Sequence, residues 1–350
     1  LELYFSHIEE NIDIDLENWA KLNKKNIVLT GSTGMIGKFL TDTLFLLQMR
    51  YSIDFHLIIL VSNSDFFIKR FPYFCSNNNV SVYQVDLLNL KELFKILSSF
   101  EIHYIIHAAS PADPKSVALS PTSVIRYNTQ IVENLLRICT KKKSLLIFLS
   151  SSEVYGKVCK KKPIQETDLG FIDVCSINGC YAQSKRMAET ICAAYNYEYN
   201  TDFVSLRLPR TFGSTIRDND PRALSSFLYQ SAHGQNIQLK SHGNQILSFL
   251  YVGDCIRSIA FAMFVFKKNQ TYNISNPEIL TLWDFCSMVC SLSPHDINIE
   301  KYSDKDFFDN IASKVEYSVL ETSKALSMGF KTHYSILDGI NISLRLLQRS

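Results

Sequence analysis

The chain has 350 residues, 46% hydrophobic and 20% charged, enough apolar material for a large buried core and too little charge for general disorder. Its 36 basic and 34 acidic side chains give a formal charge of +2, and the only basic runs, 141–143 and 160–162, are too short to line a groove for nucleic acid. No uninterrupted apolar stretch reaches the roughly 18 residues of a membrane-spanning helix, so no membrane insertion is expected.

Residues 1–25, with Trp19 in a helical pattern, read as a helical extension packed on the body. Asn26–Thr30 (NIVLT) is a short apolar run that stops at glycines, and Met35–Met49 places apolar residues at helical spacing. Strand, tight turn and helix follow one another. Short apolar runs recur at 55–61, 80–85, 104–108 and 145–150, separated by helical patterns such as Leu90–Leu97 and 124–139. A further helix is expected near 181–199 and a strand at 202–208. This alternation predicts an α/β fold, a Rossmann-type doubly wound parallel sheet. Beyond Gly213 the pattern is less regular: helix at 221–233, strand at 246–252, helix at 254–266 and a closing helix at 334–347. The expected division is an N-terminal helical extension over 1–25, a dinucleotide-binding domain with the catalytic residues over 26–212, and a mainly substrate-binding region over 213–350, with some segments returning to the first body.

Nine cysteines without a C-x-x-C pair fit a reducing compartment, and Leu1 opens no basic, apolar leader, so the expected location is cytoplasmic. Cys286 and Cys290 stand four apart on an expected helix but have no His or Cys partners at ligand spacing; no metal is expected.

Glycine is scarce, 12 in the whole chain, yet Gly31, Gly34 and Gly37 fall within seven residues (GSTGMIG) between the first strand and its helix. The first permits the tight turn, the second lets backbone approach a pyrophosphate, and the third lets helix and strand pack closely. Free N–H groups at the helix start, from Thr33 through Met35 and Ile36, face the anion. Dinucleotide binding follows. Tyr181 and Lys185, four apart on a helix, share one face. A tyrosine is a poor base at neutral pH, and a neighbouring cation favours its phenolate. The serine-rich segment Ser150-Ser151-Ser152-Glu153-Val154-Tyr155-Gly156 lies where the fifth strand opens at its carboxyl end, the ligand edge of such a sheet.

The G-x-x-G-x-x-G spacing, with Tyr181/Lys185 and the serine segment, resembles the extended, sugar-nucleotide-modifying branch of the short-chain dehydrogenase/reductase superfamily, over about residues 25–345. Segments Ser110-Pro111-Ala112-Asp113-Pro114, 151–156 and 180–190 look closest to UDP-glucuronate decarboxylases and neighbouring epimerases and dehydratases. The resemblance implies that Asp86 and Leu87 contact adenine, that Ala108, Ala109 and Ser110 line the nicotinamide, that Asn128 supports the active-site helix, and that Ser151 hydrogen-bonds the hydroxyl being oxidised. It also implies a homodimer, through helices near 124–139 and 181–199. The residue expected to hold the adenosine ribose is Ser62, which neither accepts two hydrogen bonds as a carboxylate does nor repels a 2′-phosphate. NAD is the expected cofactor, with NADP admitted by Lys69 and Arg70.

The implied reaction starts with proton removal from a nucleotide-sugar hydroxyl by Tyr181, assisted by Lys185, and hydride transfer to give a 4-keto sugar. Ser152 and Glu153 then stand where the family places its second catalytic groups. A dehydratase of this kind uses an Asp-Glu pair, whereas decarboxylases carry Ser/Thr-Ser-Glu as here. Alternatives are a net NAD(P)H-dependent reductase and a catalytically idle nucleotide-sensing scaffold. Two departures stand out. Leu247 occupies a usual arginine position, and Arg210 occupies a usual asparagine position, which suggests that the charge for a substrate diphosphate has moved to Arg210.

Overall fold

In the computed structural model, which describes residues 1–348 apart from 75–76, 112–113, 160, 218–219 and 302–314, seven parallel strands form the centre of the molecule. Ala112, Asp113 and Lys160, singled out above, lie outside the described residues. Six of the strands are β1 (Asn26–Thr30), β2 (His56–Val61), β3 (Val80–Gln84), β4 (Tyr104–His107), β5 (Leu145–Ser151) and β6 (Phe203–Leu208). Their order is 3-2-1-4-5-6, and Gln270–Asn273 extends the edge by pairing with β6. β1 and β5 are buried almost throughout, as strands covered on both faces are. Alternate residues serve different cores: Ile27 and Leu29 pack on one side, Val28 on the other.

The helices that matter for the site are α1 (Glu2–Ile14), α2 (Leu16–Ala20), α3 (Met35–Met49), α4 (Ser64–Arg70), α5 (Leu90–Leu97), α6 (Pro114–Leu119), α7 (Pro121–Lys142) and α8 (Cys180–Tyr199). α7 and α8 pack side by side, and Leu135 and Ala188 from them join Val28 and Phe148 in the second core. β1 and β4 are neighbours although the chain visits β2 and β3 between them. That reversal opens a crevice at the carboxyl ends of the strands, the usual ligand position of such a sheet.

The extension is two helices rather than one, and its seating is polar as well as apolar. Trp19, Ile8 and Ile12 are fully buried. His7 Nε2 lies 2.8 Å from the Tyr251 hydroxyl, and Asp15, at the break between α1 and α2, pairs with Arg257, which also bonds Asp254 at 2.8 Å. The strand expected over 246–252 is divided at Ser248. Ile246–Leu247 pairs with Leu280–Thr281 and Tyr317–Ser318, whereas Phe249–Tyr251 pairs with Arg210–Phe212. Ser248 is the cause in part: buried, it accepts a hydrogen bond from Leu320 N at 2.9 Å and donates its own N–H to Ser318 O. The next helix starts at Val252, earlier than expected. The closing helix starts later, at Ile336, because Ser335 caps it by accepting from Asp338 N at 3.0 Å. Among the described residues no helix is long and apolar enough to cross a membrane, and no group of three His, Cys, Asp or Glu side chains could hold a metal ion.

Candidate active site

β1 runs directly into the glycine turn. Gly31 has φ +78°, and a Cβ there would stand 2.4 Å from Ala109 N; a Cβ on Gly37 would stand 1.9 Å from Gly31 O. Neither position admits a side chain, so the turn, the start of α3 and the end of β4 are pressed together. Gly34 is different, since its Cβ would meet only Gly31 O at 3.4 Å; the protein's own packing does not demand a glycine there. Gly34 caps α3 without a side-chain bond to the first N–H groups, and the neighbouring Ser32 hydroxyl is buried without a hydrogen-bond partner. Unpaired donors at a helix start suit an anion. These features fit a dinucleotide pyrophosphate.

The other expected cofactor residues lie along the same edge. Ser62 is exposed just past β2, and Asp86 is exposed past β3, where its carboxylate accepts from Leu88 N at 2.9 Å. Leu87 O accepts from Asn134 at 2.9 Å, and Ala108 N donates to Thr30 O at 3.2 Å. Met35 is buried and Ile36 half-buried at the helix start.

Across the crevice stands Tyr181, in the first turn of α8. The hydroxyls of Ser151 and Ser110 stand close enough to its phenol to favour the phenolate. Ser110 also donates to Asn128 Oδ1 at 2.7 Å, Asn128 Nδ2 donates to Ser184 Oγ at 2.9 Å, and Ser184 donates back to the Tyr181 carbonyl at 2.8 Å. A chain of three hydrogen bonds therefore ties the helix start to the segment that follows β4. Ser184 was not singled out from the sequence, although its three-residue spacing from Tyr181 is a helical signal. Lys185 is buried, donating to Leu149 O at 2.8 Å and lying 4.7 Å from the Phe148 ring centroid. Burial pushes the Tyr181 phenol up to about 12, against the nearby Ser151 and Ser110 hydroxyls, and pushes Lys185 down to about 7. Under the same ring, His107 stacks on Phe148 and bonds Thr30 Oγ1 at 2.8 Å; burial and then the Lys185 charge push it down to about 3, which keeps it neutral.

The serine segment turns sharply. Ser151 Oγ accepts from Glu153 N at 3.2 Å, Ser152 is buried within the turn, and Gly156 closes it at φ +63°. Tyr155 anchors the turn to β6 through Arg207, which donates to its hydroxyl at 2.8 Å and pairs with Glu189 at 2.6 Å. Glu153 lies near enough to the phenol to raise it further, and pairs with Arg210 at 3.6 Å. Arg210 is in register with Phe249, two residues past Leu247, which is buried in the core. The cation thus reaches the crevice from the adjoining strand, beside Glu153. Arg222, paired with Asp220, is a second cation close enough to act on Tyr181, and nothing in local spacing announced it.

A doubly wound parallel sheet, a glycine turn and a Tyr–Lys helix facing a serine-rich strand end define a protein of the extended short-chain dehydrogenase/reductase type. Residues 27–275 match the profile of the NAD dependent epimerase/dehydratase family, and the chain belongs to that family. It is 29% identical to UDP-glucuronic acid decarboxylase 1 of Danio rerio over 276 residues, 78% of this chain and 62% of that protein. It is 28% identical to UDP-glucuronic acid decarboxylase 6 of Arabidopsis thaliana, over 57% of this chain and 58% of that one. The chain spans about three-fifths of the length of these curated relatives. Among solved structures it is similar to UDP-glucose 4-epimerase from Thermotoga maritima, with TM-score 0.78, 20% identity and coverage of 93% and 99% of the two chains. A UDP-glucuronic acid 4-epimerase from Bacillus cereus, solved with UDP-glucuronic acid and NAD, gives TM-score 0.76, also at 20% identity and with the same coverage. These structural likenesses establish the fold.

Proposed function

We propose that this chain is an NAD-dependent nucleotide-sugar modifying enzyme whose first step is oxidation of a sugar hydroxyl, at C4, to a ketone. The observation that carries the reading is the buried Tyr181 phenol beside the Ser151 and Ser110 hydroxyls, with Lys185 one turn along the helix. Bound NAD supplies the hydride acceptor. Tyr181 takes the hydroxyl proton, Ser151 orients the oxygen, and Lys185 contributes the positive charge that favours the phenolate. Ala108, Ala109, Met35, Ile36, Asp86 and Leu87 line the cofactor's course along the sheet edge.

The ketone acidifies the neighbouring C–H bond, and Glu153, with Ser152 beside it, is the second acid/base. Arg210, expected from the sequence to meet the substrate diphosphate, pairs with Glu153 and in this reading binds the substrate at the sugar instead. A second reading, decarboxylation of a uronic acid, is favoured by the Ser151-Ser152-Glu153 run, which lacks the aspartate of a dehydratase, by the Arg210–Glu153 pair, and by the curated relatives. In a 4-keto uronate the electrons of the carboxylate C–C bond pass into the ketone as carbon dioxide leaves.

The test is incubation with NAD and a panel of UDP-, dTDP-, GDP- and CDP-sugars, with products read by mass and NMR. Loss of carbon dioxide, loss of water and an unchanged mass separate decarboxylation, elimination and epimerisation; steady consumption of reduced cofactor would instead indicate a net reductase. Tyr181→Phe should lower turnover by about 10²- to 10⁴-fold. Full activity in that variant would overturn the mechanism.

Residues 213–350 form most of the substrate side in this reading, and 26–212 the cofactor side. The working form is a homodimer through α7 and α8, whose outer surface carries exposed Ile125 and Met187, with Val174 in the same groove. We place the protein in the cytoplasm, where the described cysteines, all unpaired, would persist.

A further inference from the structure

We propose that Glu189 is a positioning residue of the reaction: its carboxylate, clamped by Arg207, fixes the strand end that carries Ser151 and is the counter-charge for Lys185. The inference rests on the reading of Tyr181 and Lys185 as the pair that takes the substrate proton. Glu189 stands one turn beyond Lys185 on α8, the spacing at which helical side chains of opposite charge support one another. Side chains of β5 and β6 converge on its carboxylate. Ser150 of β5 donates to Oε1 at 2.5 Å, and Arg207 of β6 donates from Nε to Oε1 at 3.0 Å and from Nη2 to Oε2 at 2.6 Å. Ser150 and Arg207 are partners in the register of the two strands, so one carboxylate ties both strands to the active-site helix. Ser150 directly precedes Ser151, and a shift of its strand end would move the hydroxyl that orients the substrate.

The guanidinium is held from its other side as well. Arg207 Nη1 donates to the Tyr155 hydroxyl and to Glu166 O, each at 2.8 Å, and Tyr155 donates to Asn273 Oδ1 at 2.6 Å. A forked ion pair whose two side chains are each 11% exposed keeps one orientation. The other titratable groups about Lys185 carry no negative charge near pH 7. They are Tyr181 and Cys192 on its own helix, Cys139 of α7 beside Cys192, and His107 at the end of β4. Burial pushes the phenol and both thiols up and His107 down to about 3, which leaves all four neutral. Glu189 is thus the anion that opposes burial of the Lys185 ammonium.

The test is titration of Lys185 by NMR in the full chain, with lysines labelled at the ε-carbon and the resonance identified by its loss in Lys185→Met. The wild-type midpoint should lie at about 7. Glu189→Gln should lower it to about 6 or below, since an opposite charge this close moves a midpoint by about one to three in pH. Arg207→Met breaks the same ion pair but leaves the carboxylate, and should not lower it. Loss of packing would affect the two variants alike, so the split between them isolates the charge. If Glu189→Gln does not fold, the double variant with Arg207→Met, which leaves no unpaired buried charge, should show the same downward movement. With a nucleotide sugar that the wild type turns over, Glu189→Gln should lose about tenfold to a hundredfold in kcat, with KM within about threefold. An unmoved Lys185 midpoint in Glu189→Gln, an equal fall in Arg207→Met, or an unchanged kcat would overturn the proposal. Absence of turnover with every nucleotide sugar would overturn the proposed function, whereas the Lys185 titration would still decide the counter-charge.

Discussion

Lys185 and Tyr181 sit on one face of a helix, and burial moves their proton affinities in opposite directions, the ammonium down to about 7 and the phenol up to about 12. The sign of the lysine's effect on stability follows. Below pH 7 the folded protein holds a buried charge that the unfolded chain would keep in water. Between about 7 and the ordinary lysine value, near 10.4, the unfolded state binds a proton that the folded state lacks, so stability rises with pH across that window. Lys185→Met should therefore raise the melting temperature at pH 6, by about 2 °C or more, while turnover is lost, and the gain should shrink by pH 9.5. Scanning calorimetry at the two pH values checks this; a lower melting temperature at pH 6 would contradict it. The catalytic role proposed for Lys185 would account for its being kept at a cost to the fold.

At the scale of elements, the glycine turn separates two requirements that the sequence motif merges. Gly37 is demanded by the fold, because its Cβ would fall 1.9 Å from the Gly31 oxygen, whereas Gly34 has only a 3.4 Å neighbour. Gly37→Ala should push α3 off the turn and lower both melting temperature and NAD affinity. Gly34→Ala should leave the melting temperature within about 1 °C, since an alanine at a helix start with room around it is tolerated, yet weaken NAD binding. Thermal melts paired with NAD titrations distinguish them, and a large loss of stability in Gly34→Ala would refute the division. The strand divided at Ser248 shows the converse limit of pattern. An apolar run from Ile246 to Val252 has the look of a single strand, but a buried serine hydroxyl and three separate partner segments split it.

For the whole molecule, the proposed homodimer would cover the exposed apolar positions on α7 and α8 with a second copy of the same pair. Met187→Glu, which places a charge on that outer face at a residue already 52% exposed, should convert a dimer to a monomer in light scattering without lowering the melting temperature of the monomer. A wild-type protein that is monomeric at micromolar concentration would refute the assembly.

The order of strands and helices, the glycine turn and the Tyr181–Lys185 face were legible in the sequence because each depends on spacing within one or two neighbouring elements. Periods of two and 3.6, and turns that only glycine fits, are local properties of the chain. The partners of the charged side chains were not legible. Arg210 meets Glu153, Arg70 holds the Thr215 carbonyl, Arg217 reaches Thr33 across 184 residues, and Asp15 of the N-terminal extension meets Arg257. Those pairings depend on the path of the chain between distant segments, and their strength depends on how much water the packed fold excludes. The sequence by itself determined which chemical groups this protein carries and on which local element each one stands; the tertiary structure decided which of them face one another, because long side chains find their partners only after the sheet edge and the segments beyond residue 213 have closed around the same crevice.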